Sequence, residues 1–127
     1  MCHVLIIEDE ALVAMDLENL LLEAGATSFA FASSEAEAVE QACTRQPDVM
    51  TSDVQLGSGT GPAAVAIIRD RLGMVPVVFV SATPTECGAM QPQDLVFCKP
   101  FDRGDLVAAF RRILGVAAAA GRVRPCA

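Results

Sequence analysis

Residues 2–10, Cys-His-Val-Leu-Ile-Ile-Glu-Asp-Glu, set an apolar run directly against three consecutive acids. An apolar run without polar alternation reads as a strand buried on both faces, the habit of a parallel sheet covered by helices. Residues 11–24 follow with apolar side chains at Val13, Leu17, Leu20, Leu21 and Ala24, a helical stripe closed by Gly25. Strand then helix is half of a βα repeat, and the rest of the chain keeps the alternation.

Thr27–Ala32 reads as a second strand with Phe29 and Phe31 on one face. Ser34-Glu35-Ala36-Glu37 is a capping box that opens a helix to about Arg45. Val49–Asp53 reads as a third strand, and Gly57-Ser58-Gly59-Thr60-Gly61 as a loop leading to Pro62 and a helix to about Leu72. Val75–Ser81 and Leu95–Lys99 supply strands four and five. Between them Pro84, Gly88 and Pro92 leave room only for a short or irregular fourth helix. The last helix starts at Asp102, with Asp105 three residues on, and carries Leu106, Phe110 and Ile113 on one face. Gly115 could end it, or Val116–Ala120 continue it. The expected fold class is α/β, a central parallel sheet with right-handed crossovers and helices on both faces. Residues 1–120 form one domain and 121–127 a loose tail.

Composition narrows the function. A chain of 127 residues fits one domain on a prior of roughly 150. Its 9 basic and 16 acidic residues give a net charge of −7, the wrong sign for direct contact with a phosphate backbone. No uncharged stretch is long enough to span a bilayer, and Glu8, Asp9 and Glu10 interrupt the place of a signal-peptide core. Five cysteines in no C-x-x-C spacing and a single histidine leave little for a Cys/His zinc site and suit a reducing cytoplasm. Cys2 and Cys98 read as small core residues.

In a doubly wound sheet, ligands bind beyond the carboxyl ends of the strands. Strand one ends in Glu8-Asp9, strand three in Asp53, strand four in Ser81-Ala82 and strand five in Lys99-Pro100. Taken singly, each has an ordinary reading: Glu8-Asp9 as acids at a helix N-terminus, Asp53 as a turn residue, Ser81 as a cap. Their joint placement on one sheet edge is what points to a site. Two carboxylates about 4 Å apart repel by roughly 4 kcal/mol at an effective dielectric of 20. The chain's single lysine, Lys99, cannot balance three carboxylates. A hard divalent cation with oxygen ligands, Mg²⁺, is the natural complement. A metal-bound carboxylate beside an amine and a hydroxyl suits phosphoryl transfer, with Asp53 as acceptor, Asp9 as direct ligand and Glu8 as ligand through water.

Those residues carry a resemblance. Val-Leu-Ile-Ile-Glu-Asp-Glu, Asp53, Ser81-Ala82 and Lys99-Pro100-Phe101 resemble the receiver domain of two-component response regulators over about residues 2–115. Ser-Asp-Val-Gln-Leu-Gly and Pro-Val-Val-Phe-Val-Ser are similar to receivers of bacterial general-stress regulators, in which a sigma-factor-like domain precedes the receiver. The resemblance implies a (βα)5 flavodoxin-like sheet of strand order 2-1-3-4-5. It implies phosphorylation of Asp53 by a histidine kinase or histidine phosphotransfer protein, and Mg²⁺ held by Asp9, Asp53, the Gln55 backbone carbonyl and, through water, Glu8. Ser81, Ala82 and Lys99 would bind the phosphoryl group, the Lys99-Pro100 bond would be cis, and Gln55 and Thr83 would tune phosphoryl lifetime. With no effector domain in the chain, output is expected through an unidentified downstream protein or onward phosphotransfer, from a monomer or weak dimer.

Two positions depart from the family pattern. The aromatic switch position three before the lysine is Val96, and strand period two turns the adjacent Phe97 to the other face. The Ser81–Lys99 interval is also about a helical turn short, so activation is expected to order this segment instead of rotating a ring. Other functions fit less well. A phosphorylation-independent docking module would be expected to have lost an anchor residue, and a flavodoxin-like nucleotide binder would carry glycines where this chain has Glu8-Asp9-Glu10. The Gly57–Gly61 stretch lacks the register of a nucleotide loop and reads as a plain loop. Asp16, Glu18, Glu23, Glu35 and Glu40 read as solvated helix faces, and Asp102 and Asp105 as a cap.

Overall fold

The computed structural model describes residues 2–81, 95–98 and 102–119. Five parallel strands, β1 (His3–Ile7), β2 (Ser28–Ala32), β3 (Val49–Asp53), β4 (Val77–Ser81) and β5 (Leu95–Cys98), lie in the order β2-β1-β3-β4-β5. The four helices among the described residues are α1 (Ala11–Ala24), α2 (Glu35–Thr44), α3 (Gly61–Leu72) and α4 (Arg103–Ala119). The expected fold class and strand order are those observed. The segment 82–94, with its expected short helix, and the 121–127 tail lie outside the described residues.

Strand periodicity divides the core into two layers. Along β1, Val4 and Ile6 pack on the side that holds α1 and α4, with Leu17, Leu20 and Phe110. Leu5 and Ile7 face the opposite side, with Met50, Ile68 and Phe79. Every β1 residue is buried because β2 and β3 flank the strand and helices cover both faces. The same alternation separates the two residues near the missing aromatic position. Phe97 packs against the α1–α4 layer and Val96 against the α2–α3 layer.

Helix ends follow their chemistry. Ser34 caps α2 by accepting from the Glu37 amide at 3.2 Å, while the Glu37 carboxylate accepts from the Ser33 amide, one residue earlier than the standard box. Asp102 accepts from the Asp105 amide at 3.0 Å and caps α4, which continues through Gly115 to Ala119. Asp16 on α1 is exposed, but it is ion-paired with Arg103 of α4 instead of being merely solvated.

At the amino pole of the sheet, β1 is fastened to its neighbours through His3. The His3 amide donates to Asp48 Oδ2 at 2.8 Å, and His3 Nδ1 shares a 2.8 Å hydrogen bond with Ser28 Oγ. Burial of the ring, reinforced by the Arg45 guanidinium and partly opposed by Asp48, holds the imidazole below its ordinary pKa. Among the described residues, no helix is long and apolar enough to cross a membrane.

Candidate functional site

The strand order reverses at β1, which lies between β2 and β3, so the carboxyl ends of β1 and β3 emerge side by side, with Ile7 opposite Ser52. The next residues are Glu8 and Asp9 on one strand and Asp53 on the other. One carboxylate oxygen from each of Glu8, Asp9 and Asp53 lies within 4.8 Å of the others. Glu8 is buried, with only 5% of its surface exposed, Asp53 is half-buried and Asp9 is exposed. The Glu8 amide donates to the Ala32 carbonyl at 2.9 Å, extending the β1–β2 ladder by one bond. Its carboxylate is aimed by the Glu10 amide, which donates to Oε1 at 3.2 Å.

Asp53 is fixed through its backbone. It pairs with Val80 in the β3–β4 register, and the buried Ser52 hydroxyl donates to the Asp53 carbonyl at 2.8 Å. The start of α3 presses on the same carbonyl: a Cβ at Gly61 would overlap the Asp53 carbonyl oxygen and Ser52 Oγ. Between Asp53 and α3 the chain folds into a small antiparallel turn in which Gln55 bridges Thr60. The Leu56 amide donates to the Gly59 carbonyl at 3.3 Å and the Gly61 amide to the Val54 carbonyl at 2.9 Å. Gly57 in this turn lies beside Asp9, where an added Cβ would sit 3.7 Å from Oδ2.

Of the residues singled out in the sequence, the structure thus brings Glu8, Asp9 and Asp53 together and sets Gln55 in the adjoining turn. Ser81 is the last residue of β4, opposite Cys98 at the end of β5. Ala82, Thr83, Lys99 and Pro100 lie outside the described residues. Sequence reasoning missed Gly61, whose signal was a glycine where the helix start must touch the Asp53 backbone. It also misread Glu35, which is half-buried and engages the Gln55–Thr60 turn instead of forming part of a solvated face.

Three carboxylates from two adjacent strands form a donor set of hard oxygens only. That chemistry fits Mg²⁺ and argues against a soft, thiolate-seeking metal. Asp9 and Asp53 would be direct ligands with the Gln55 carbonyl, and Glu8 would hold a metal-bound water.

The fold and the acidic corner define a class of signalling domain, and the comparisons agree. Residues 4–111 match the response regulator receiver domain, and the chain belongs to that family of two-component systems, in which phosphorylation and Mg²⁺ binding are typical. The Phyllosphere-induced regulator PhyR of Methylorubrum extorquens is 32% identical over 117 residues, covering 88% of this chain and 43% of that protein. The transcriptional regulatory protein PdtaR of Mycobacterium tuberculosis is 34% identical over 115 residues, covering 84% of this chain and 54% of that protein. The chain therefore spans about half the length of these curated relatives. Among solved structures, the receiver domain of Erythrobacter litoralis PhyR superposes with a TM-score of 0.82 at 28% identity, covering 99% of this chain and 95% of that one. The anti-anti-sigma factor PhyR from Bartonella quintana gives 0.79 at 29% identity, covering 95% and 50%.

Proposed function

We propose that this chain is a phosphoacceptor switch that takes a phosphoryl group on Asp53 from a histidine kinase or histidine phosphotransfer protein. The convergence of the Glu8, Asp9 and Asp53 carboxylate oxygens within 4.8 Å carries the reading. An Asp53 carboxylate oxygen attacks the phosphorus of a phosphohistidine. The new O–P bond forms as the N–P bond breaks, and the imidazole leaves to be protonated by solvent. Bound Mg²⁺ supplies neutralisation of the charge on the transferring phosphoryl oxygens. Glu8, buried and oriented by the Glu10 amide, is assigned to hold a metal-bound water, and the Gln55 carbonyl, in the adjoining turn, to complete the ligand set. Lys99, Ser81 and the Ala82 amide are assigned to hold the phosphoryl oxygens, and Gln55 and Thr83 to tune the lifetime of the acyl phosphate.

Delivery from a protein donor needs a docking surface beside the acceptor. The first turns of α1 leave Leu12 82% and Met15 59% exposed, a few residues from Asp9. These side chains are assigned to the donor. Output passes to a protein partner or by onward phosphotransfer in the cytoplasm; the likeness to a protein described as an anti-anti-sigma factor makes an anti-sigma factor the first partner to test.

The test is intact mass after incubation with acetyl phosphate and Mg²⁺. One added phosphoryl group is expected, absent in Asp53→Ala and without metal. No adduct, together with no response to Mg²⁺ or to a stable phosphate mimic, would overturn the assignment and leave a phosphorylation-independent docking module.

A further inference from the structure

The Gln55–Thr60 turn is gripped by one residue of α2. The Glu35 amide donates to the Ser58 carbonyl at 3.2 Å, and Glu35 Oε2 accepts from the Thr60 amide at 3.4 Å. Between those two contacts lies Gly59, at φ +83, packed so closely that an added Cβ would overlap the Glu35 carboxylate. Glu35 thus meets three consecutive residues of the turn through backbone and side chain. At Gly57 the same turn lies against Asp9. Thr60 then caps α3, accepting from the Ala63 amide at 3.3 Å, and Gly61 seats that helix on the Asp53 carbonyl.

We infer that Glu35 is a positioning residue for the Asp9–Asp53 site: by latching the turn to the start of α2, it sets where the Gln55 carbonyl lies. This rests on the phosphoacceptor reading for its consequence but not for its geometry. Five residues bearing three glycines have wide backbone freedom, and a latch at the middle removes it before a metal arrives. The contact is a hydrogen bond to a backbone amide, so an uncharged acceptor of the same length suffices. Groups that orient a metal ligand from behind typically change metal affinity by about 10- to 100-fold when removed.

The experiment compares wild type, Glu35→Ala and Glu35→Gln by Mg²⁺ titration, phosphoryl loading at low and saturating Mg²⁺, and amide hydrogen exchange without metal. Glu35→Ala is expected to weaken Mg²⁺ binding about tenfold, with loading restored at saturating Mg²⁺. It is also expected to speed exchange of the Thr60 amide, whereas Glu35→Gln stays near wild type in all three. Since both variants remove the charge, equal weakening by Gln and Ala would assign the effect to long-range electrostatics and overturn the latch. Unchanged Thr60 exchange in folded Glu35→Ala would also overturn it. If wild type itself takes neither Mg²⁺ nor phosphoryl, the function fails and the Thr60 exchange comparison alone decides the latch.

Discussion

Gly61 and His3 show how single residues constrain opposite ends of the sheet. At the carboxyl end, replacing Gly61 by alanine forces the start of α3 away from the Asp53 carbonyl. A loss of about 1–3 kcal/mol in urea-unfolding stability is expected, with slower phosphoryl loading by intact mass. At the amino end, His3 is the chain's single histidine and is held below its ordinary pKa. The unfolded chain therefore binds this proton more readily than the folded one. Its contribution is fully present above the unfolded value and is lost as pH falls through about 6.5 toward the lower folded value. The imidazole resonance should titrate below that value, and His3→Gln should flatten the stability–pH slope in that window. An imidazole titrating at or above it would contradict the burial argument. Within the acidic corner, Asp9→Asn relieves repulsion among three carboxylates. It should raise metal-free stability by about 1 kcal/mol while weakening the Mg²⁺ response, both read from denaturant melts.

At the scale of elements, most of the fold was legible because buried parallel strands and amphipathic helices leave different periods in the sequence. Val4 and Ile6 against Leu5 and Ile7, and Phe97 against Val96, fall on the sides that alternation requires. The acidic corner was legible for the same reason, since strand ends could be placed from strand periods. The Gly57–Gly61 turn was not. Its order comes from Glu35, distant in sequence, and from the pressure of α3 on Asp53, and neither leaves a periodic trace. Asp16 was misjudged likewise, because its partner Arg103 lies on the far-off last helix. That exposed pair should matter little: Asp16→Asn is expected to shift stability by no more than about 1 kcal/mol, whereas Phe110→Ala in the same α1–α4 layer should cost about 3–5 kcal/mol. On α1, Met15→Glu should slow loading from a phosphorylated protein donor while leaving acetyl phosphate loading near wild type. Equal slowing with both donors would place Met15 in the chemistry and not in docking.

Across the whole molecule, β1 and β3 are neighbours in one sheet but feed helices on opposite faces of it. β1 runs through Glu8 and Asp9 into α1 on one face, and β3 runs through Asp53 and the turn into α3 on the other. At the amino pole the two strands share a permanent fastening, Asp48 holding the His3 amide. At the carboxyl pole the carboxylates of the two strands converge, and a cation held between them would act as a rivet that can be put in or drawn out. Mechanically, the ladder already binds the two strands as far as Ile7 and Ser52, so drawing the rivet should loosen only what lies beyond it, the short leads into α1 and α3 on opposite faces of the sheet.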